Sequence, residues 1–283
     1  MNQEELQNAQ FVQQKIAESI HSFCIKNKIN YWLEGGSLLG SIRHNGVIPW
    51  DDDFDLGMLR ADFEFLIQKY KDELFEIKYI TNDEYYPFLL AKVILKDSLF
   101  IEHSLRDTSY TQGIYIDIFP FDNAPNKKWQ RDFQKAKNFI YKKTLAAKDN
   151  IDYGHKKISI KSFGYALIRF FTYPFSRRRI MQRFLKVAQK YNHKNTENVY
   201  SVGTGYRYEK KLFPRIWVSS TIEKTFNDTS FMIPVEWDKY LTQVYGDYLK
   251  LPPEEARVNR HNIVKFHLGE NYYKIRGVED EKI

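Results

Sequence analysis

The sequence predicts an α+β fold, in which helices flank a mixed β-sheet and an additional, mostly helical C-terminal region follows. Short apolar runs typical of buried strands alternate with longer segments of helical spacing. With 283 residues, 43% of them hydrophobic and 28% charged, the chain has the composition of a globular protein and can bury a full core. A glycine-rich turn and a dense acidic cluster near the start of the chain indicate where its chemistry lies.

Each predicted element follows from the spacing of apolar residues. Helical spacing covers residues 3–27, 62–74, 127–148 and 177–192, and a helix through 237–245 is predicted to end at Pro252-Pro253. Apolar runs predict strands at residues 31–33, 76–80, 88–95, 99–103 and 115–119. Strands separated in this way by helices are expected to pair in a mixed sheet with helices packed against it.

Four carboxylates occupy five positions in the segment 51–55. Side chains alternate in an extended strand, so Asp53 and Asp55 share one face and Phe54 lies on the other. Two like charges on one face resist burial unless a counter-charge is present. Magnesium accepts carboxylate and phosphate oxygens, so this spacing indicates a magnesium site. A solvated acidic loop or a helix N-terminus is the alternative for such a pair taken alone.

The turn Gly35-Gly36-Ser37 follows the first predicted strand and precedes a predicted helix that opens at residue 38. Glycine lets the backbone approach an anion closely, and Ser37 offers an amide and a hydroxyl donor. These features predict a phosphate site, although an ordinary strand–helix connection has the same pattern. Arg43 and His44, near the end of that helix, either complement its dipole or face a diphosphate.

The segment 34–58 closely resembles the signature of the LicD family. These are bacterial phosphocholine transferases of the nucleotidyltransferase superfamily, related to the catalytic domains of fukutin and fukutin-related protein. The segment 113–122 resembles the family's strand with a third acidic residue, here Asp117, and the segment 233–255 resembles its C-terminal motif. The resemblance extends from about Tyr31 to His261 and covers the middle of the chain poorly.

The resemblance implies a nucleotidyltransferase-type fold with Gly36 and Ser37 in a phosphate loop. It makes Asp53 and Asp55 the metal pair for Mg²⁺. It also makes Asp117 either a third metal ligand or the group that orients or deprotonates the acceptor hydroxyl.

The implied division of the chain is a catalytic core at residues 1–125 and a mainly helical region at 126–283 that completes the donor and acceptor site. The two are expected to pack as one compact unit. Lys92 lies inside an apolar predicted strand, where a lysine is either on the solvated face or directed at a phosphate. The family resemblance favours the phosphate, so Lys92 joins the predicted donor-binding residues Gly35, Arg43 and His44.

The donor implied by the resemblance is a CDP-activated alcohol. We therefore expect transfer of phosphocholine from CDP-choline to a sugar hydroxyl of a cell-surface polysaccharide, teichoic acid or lipooligosaccharide, with release of CMP. The alternatives are another donor, such as CDP-ribitol or CDP-glycerol, and nucleotidyl transfer from a nucleoside triphosphate. An inactive binding protein is disfavoured, since no structural need explains the intact Asp53, Asp55 and Asp117.

Choline is expected to contact aromatic faces, because a quaternary ammonium donates no hydrogen bond. Aromatic residues make up 16% of the chain, and most of them are expected in the core. The candidates for choline contact are Tyr85, Tyr86, Tyr206, Tyr208, Trp217, Trp237 and Tyr245.

The formal net charge of +7 is concentrated between residues 127 and 183. The basic, aromatic-rich segment 156–183 predicts either a helix packed on the core with a solvated basic face or peripheral contact with an anionic membrane. A membrane contact would suit a lipid-linked glycan acceptor. No nucleic-acid partner is expected, because no recognised binding motif accompanies the charge.

The single cysteine, Cys24, excludes an intrachain disulfide framework and a multi-cysteine zinc site, and its helical position predicts burial. Residues 1–14 lack the pattern of a signal peptide, and no apolar run reaches the length of a membrane span. The expected location is the cytoplasm, including the inner face of the cell membrane.

Overall fold

The structure is a computed structural model that describes residues 1–106, 108–148, 160–204, 206–259 and 261–277. Its α-helices are α1 (Gln3–Asn27), α2 (Gly35–Arg43), α3 (Arg60–Lys69), α4 (Lys128–Lys148), α5 (Ile160–Thr172), α6 (Arg177–Ala188), α7 (Trp237–Tyr245) and α8 (Glu270–Arg276). Its β-strands are β1 (Trp32–Leu33), β2 (Asp55–Leu59), β3 (Phe75–Lys78), β4 (Ala91–Leu95), β5 (Leu99–Glu102), β6 (Tyr115–Ala124), β7 (Asn198–Tyr200), β8 (Leu212–Pro214), β9 (Thr221–Phe226), β10 (Thr229–Pro234) and β11 (Ile263–His267).

The main sheet is mixed, as the sequence predicts. Its strands lie in the order β1-β2-β6-β4-β3, and β7 and β8 extend it from the far end of β6. The β2–β6 pair is parallel, whereas β1–β2, β4–β6 and β3–β4 are antiparallel. Two further antiparallel pairs, β9–β10 and β5–β11, lie outside this sheet. The parallel pair places the starts of β2 and β6 side by side, which positions the site described below.

Helix α1 covers one face of the sheet through small and branched residues at helical spacing. Val12, Ile16 and Ile20 are fully buried, and the helix contacts β4 and β6. A second set of α1 residues fixes the acidic segment: Gln10 Nε2 donates to the Asp51 carbonyl and Gln13 Nε2 donates to the Asp52 carbonyl, each at 2.8 Å. The first helix therefore supports both the core and the backbone that carries the carboxylates.

The antiparallel pairing of β1 with β2 requires a glycine opposite Trp32. A Cβ atom at Gly57 would lie 2.4 Å from the indole of Trp32, and Trp32 is fully buried. Farther along, Arg60 forms two hydrogen bonds of 2.8 Å with the buried carboxylate of Asp122. Cys24 is buried, as predicted.

Several predicted boundaries are corrected by the structure. Helix α2 begins at Gly35 rather than at residue 38, so the glycine turn is itself the first turn of the helix. Helix α7 ends at Tyr245 because Gly246 adopts a positive φ of 76°, well before the proline pair that was expected to end it. Strand β4 begins at Ala91 rather than residue 88.

The region after residue 126 contains the predicted helices, but it is less uniformly helical than expected. The described part also includes strands β7 to β11, which are short and lack long apolar runs. The turn Asn227-Asp228 between two six-residue strands was an available hairpin signal, and Asn227 has a positive φ of 52°. Strand β7 pairs with β6 across the proposed division at residues 125 and 126, which stays a prediction.

The segment 156–183 is described in part: residues 156–159 lie outside the described residues, and α5 and most of α6 fall within the remainder. Within the described ranges, no helix combines the length and the apolar character needed to cross a membrane.

Candidate active site

A cleft of about 680 Å³ opens where β2 and β6 begin. Its walls are the start of α2, the acidic segment before β2, the chain that follows α7, and the residues Gly203, Thr204, Tyr206 and Lys211. Asp53, Asp55 and Asp117 all line it.

The parallel pairing of β2 and β6 brings two of these carboxylates together. Asp55 and Asp117 are register partners, and the Asp117 amide donates to the Phe54 carbonyl at 2.8 Å. Asp53 precedes Asp55 by two residues and lines the same cleft, whereas Phe54 points into the core and is 1% exposed. The alternation predicted from the sequence is therefore present.

Burial disfavours the charged forms of the three carboxylates, although Lys92 and His261 bring positive charge near Asp53 and Asp117. Burial raises the pKa of Asp53 to about 6, and the charges of Asp117 and Asp52 add to this effect. Burial also raises the pKa of Asp55 well above its usual range, with Asp53 and Asp117 contributing. One oxygen of Asp55, Oδ1, is buried without a hydrogen-bond partner.

A hard divalent cation fits this arrangement when a substrate completes its ligand set. In the part of the chain that the structure describes, no three histidine, cysteine or acidic side chains form a ready-made metal site. Magnesium commonly takes only one or two protein carboxylates together with substrate phosphates. The free Oδ1 of Asp55 and the mutual repulsion of Asp53 and Asp55 meet that requirement.

The glycine turn is packed tightly against the carboxylates. A Cβ atom at Gly35 would lie 2.9 Å from Asp55 Oδ2, and one at Gly36 would lie 2.6 Å from Asp51 Oδ2. The N-terminus of α2, where backbone amides are free to bind an anion, therefore lies beside the acidic wall formed by Asp53, Asp55 and Asp117. Ser37 has a different place: its Oγ accepts a hydrogen bond of 2.8 Å from the Asp55 amide, and it lies beneath the described cleft lining.

Arg43 and His44 separate in the structure. Arg43 lines the cleft and donates from Nη1 to the Tyr248 carbonyl at 3.3 Å, while its Nε is buried without a hydrogen-bond partner. His44 packs edge-on against Trp50, with 5.7 Å between ring centroids, outside the described lining. Arg43 therefore lies where it can contact a donor in the cleft.

Lys92 lies in β4 and is 3% exposed, so it is not on a solvated face. Its Nζ lies 2.9 Å from Asp117 Oδ1 and 3.1 Å from the centroid of the Tyr115 ring. The ammonium counteracts the effect of burial on Asp117, whose pKa is nevertheless raised. Lys92 also lines the cleft, and its predicted contact with a donor phosphate stays a prediction.

Two of the seven aromatic candidates line the cleft. Tyr206 and Tyr245 are these two, and their hydroxyls lie 3.4 Å apart. The other five lie elsewhere in the described structure: Tyr85, Tyr86, Tyr208, Trp217 and Trp237. The lining also includes aromatics that were not among the candidates: Trp50, Phe88, Tyr115, Phe119 and Tyr248.

Two ion pairs at the cleft, one of them fully buried, were missed by sequence reasoning. Glu34 pairs with Lys211, accepts a hydrogen bond from Tyr240, and accepts one of 3.0 Å from Trp32 Nε1. Glu34 and Lys211 are 1% and 2% exposed, and both line the cleft. Glu34 and Lys211 are far apart in sequence, so no local sequence pattern indicated that they pair.

The second missed pair joins His261 to Asp52. His261 Nδ1 lies 2.8 Å from Asp52 Oδ1, and the His261 amide donates to Asp52 Oδ2 at 3.2 Å. The hydrogen bond to Asp52 raises the pKa of His261 to about 9, against the effect of burial. His261 therefore carries a positive charge into the cleft at neutral pH.

This pair predicts a pH dependence of stability. The His261 pKa is higher in the folded state, about 9, than the usual value of 6.5, so its stabilisation is complete below pH 6.5 and is lost as the pH rises through 9. Allowing for partial exposure, we expect the wild type to lose about 2 kcal/mol relative to His261→Gln between these limits. Urea unfolding of both proteins across this range measures the difference, and parallel pH profiles would contradict the assignment.

Comparison with known proteins points to the same part of the chain as the site. The family model described as "LicD/FKTN/FKRP, nucleotidyltransferase domain" matches residues 28–148. Over 274 residues, the chain is 31% identical to the lipopolysaccharide cholinephosphotransferase LicD of Haemophilus influenzae, covering 90% of this chain and 96% of that protein. A match of 34 residues is 62% identical to the ribitol 5-phosphate transferase FKRP of human and mouse, covering 12% of this chain and 7% of those proteins.

The family model spans the structural units that build the acidic wall. These are the glycine turn with α2, strand β2 with Asp55, and strand β6 with Asp117. The similarity to the Haemophilus influenzae protein extends over nearly the whole chain. The chain therefore belongs to the LicD family of transferases.

Proposed function

We propose that the protein transfers phosphocholine from CDP-choline to a sugar hydroxyl of a cell-surface polysaccharide, teichoic acid or lipooligosaccharide, and releases CMP. The observation that carries the proposal is the acidic wall of Asp53, Asp55 and Asp117 beside the N-terminus of α2. Similarity along most of the chain to a lipopolysaccharide cholinephosphotransferase supports the choice of substrates.

In the proposed reaction, the acceptor oxygen forms a bond to the phosphorus that bears choline. The bond from that phosphorus to the oxygen of CMP breaks, and the acceptor hydroxyl loses its proton. Mg²⁺ held by Asp53 and Asp55 would neutralise charge on the diphosphate as CMP leaves. The amides at the start of α2 and the guanidinium of Arg43 line the same cleft and can hold phosphate oxygens.

Asp117 has two possible roles in this scheme, as third metal ligand or as acceptor of the hydroxyl proton. Its pairing with Lys92 fixes its orientation toward the cleft in either case. We expect Asp117→Asn to lose turnover. Loss of magnesium-strengthened donor binding in this variant would assign Asp117 to the metal, and retained binding without turnover would assign it to the proton.

A second donor is favoured by a specific observation. The short match to a ribitol 5-phosphate transferase has higher identity than the long match, although it covers much less of the chain. CDP-ribitol would use the same acidic wall and the same leaving group, so it changes the substrate and leaves the mechanism intact.

The test is calorimetric titration of the purified protein with CDP-choline, CDP-ribitol, CDP-glycerol and CTP, each with magnesium and with EDTA. Donor binding can be measured without knowing the acceptor. We expect CDP-choline to bind most tightly, and EDTA to weaken it by about tenfold or more, since the acidic wall repels an uncompensated diphosphate.

Each other outcome has a defined meaning. Preference for another CDP-alcohol would replace choline, and preference for CTP would indicate nucleotidyl transfer. Binding of none of them would overturn the proposal. Release of CMP from the preferred donor with a glycan acceptor would then identify the acceptor class. Action at the cytoplasmic side of the cell, where CDP-activated alcohols are expected, is part of the same proposal.

A further inference from the structure

Helix α4 exposes an apolar stripe in addition to the face that it packs against the protein. Trp129, Phe133 and Ile140 share one face at helical spacing and are 66%, 53% and 60% exposed. The opposite face is buried and mixed: it carries Gln134 and Asn138 at 2% and 6% exposure beside the apolar Leu145 at 9%. A soluble helix normally buries its apolar stripe, so this one indicates a surface that another body covers.

Contacts of the buried face fix this orientation. Gln134 Oε1 accepts a hydrogen bond of 3.1 Å from Tyr208, and Lys142 Nζ donates to the Thr204 carbonyl at 2.8 Å. Lys135 on α4 also pairs with Glu209. Rotating the helix to bury its aromatic stripe would break these contacts, so the exposed stripe belongs to the folded protein.

The charge of α4 identifies the kind of partner. The helix carries seven lysine and arginine residues and one acidic residue, Asp132. Lysines flank the stripe: Lys137 lies 4.5 Å from the Phe133 ring centroid, and Lys143 lies 5.6 Å from that of Phe139. A partner must therefore combine an apolar layer that buries the aromatic rings with negative charge that meets the lysines. A second copy of the same helix would instead bring like charges into contact.

We propose that α4 binds the surface of an anionic lipid bilayer, with Trp129, Phe133 and Ile140 in the acyl boundary and the flanking lysines at the headgroups. An amphipathic helix with aromatic and basic residues is suited to this position. This surface differs from the segment 156–183 that the sequence indicates, although α5 packs against α4 and ends in exposed rings at Phe170 and Phe171.

The geometry connects this surface with the cleft. Thr204, which Lys142 contacts, lines the cleft, and Glu209 lies in the segment that leads to Lys211. Helix α4 therefore supports one wall of the cleft from outside. A bilayer bound to the exposed stripe would therefore be separated from that wall by the width of α4, about 10 Å.

The test compares vesicle sedimentation of the wild type with the variant Trp129→Ser/Phe133→Ser/Ile140→Ser, using equal parts phosphatidylglycerol and phosphatidylcholine. The variant should bind about tenfold more weakly or worse, since three apolar side chains leave the interface. The matched control is Ile25→Ser/Ile216→Ser/Ile222→Ser, which removes exposed apolar side chains elsewhere and should bind like the wild type. Neutral vesicles or high salt should weaken wild-type binding.

A second measurement keeps the test valid if the triple variant is unstable. Brominated lipids should quench the fluorescence of Trp129, and Trp129→Phe should remove that part of the quenching while preserving the apolar stripe. Absence of vesicle binding, or equal binding by wild type and variant, would overturn the proposal. If the protein self-associates and the variant Trp129→Ser/Phe133→Ser/Ile140→Ser does not, the exposed face of α4 would instead bind a second copy of the protein. Donor binding is measured without lipid, so its result is independent of this one.

Discussion

Asp55→Asn is expected to abolish turnover and to stabilise the metal-free protein at the same time. The charged form of Asp55 is unfavourable in the fold, because burial and the charges of Asp53 and Asp117 raise its pKa. Removing the charge should raise the free energy of unfolding by about 1 kcal/mol, a value reduced by access of water to the cleft. Loss of a metal ligand should lower turnover about a thousandfold or more.

The two effects are measured separately, by urea unfolding in EDTA and by CMP release with magnesium. Addition of magnesium and CDP-choline should stabilise the wild type and leave the variant unchanged. Asp62→Asn is the matched control, because burial also raises the pKa of Asp62 on α3, outside the described cleft lining. It should retain turnover. Full activity of Asp55→Asn would remove Asp55 from the metal site.

Lys211→Met is expected to have the largest effect on stability. It leaves Glu34 buried without its charge partner, and breaking such a pair typically costs about 3–5 kcal/mol. Restoring neutrality in Lys211→Met/Glu34→Gln should recover part of this loss. Lys186→Met is the control: this lysine on α6 is exposed, and its loss should change stability by about 0.5 kcal/mol or less.

Urea unfolding of the four proteins measures this coupling. Lys211→Met should also bind donor less well, because Glu34 lines the cleft directly before the first residue of α2, Gly35. Arg60→Met separates this local effect from general destabilisation, since Arg60 forms a buried pair with Asp122 outside the described cleft lining. A stable Lys211→Met, or donor binding reduced equally by Arg60→Met, would contradict a role specific to the cleft.

The parts of the site that depend on local chain geometry could be predicted from the sequence. Alternation along a strand places Asp53 and Asp55 on one side and Phe54 in the core, and the structure has this arrangement. The mixed sheet and the family were also predicted correctly. The roles of these carboxylates stay predictions until donor and metal binding are measured.

The parts that depend on distant contacts could not be predicted in this way. Asp52 meets His261 only because the chain after α7 returns to the acidic segment before entering β11. Glu34 meets Lys211 for a similar reason. Ser37 illustrates a different limit. Its motif was visible in the sequence, but its hydroxyl oxygen accepts a hydrogen bond from the Asp55 amide, which the motif did not indicate. Spacing identifies candidate groups, and tertiary contacts decide their partners.

The parallel pairing of β2 with β6 also determines when the site can form during folding. Asp55 and Asp117 become neighbours only after the chain closes a loop of about sixty residues that contains α3 and three other strands. Loop closure of this length favours formation with the global fold rather than in an early local unit. The incompletely folded chain therefore lacks a complete acidic wall, and the proposed metal binding is expected of the folded protein alone.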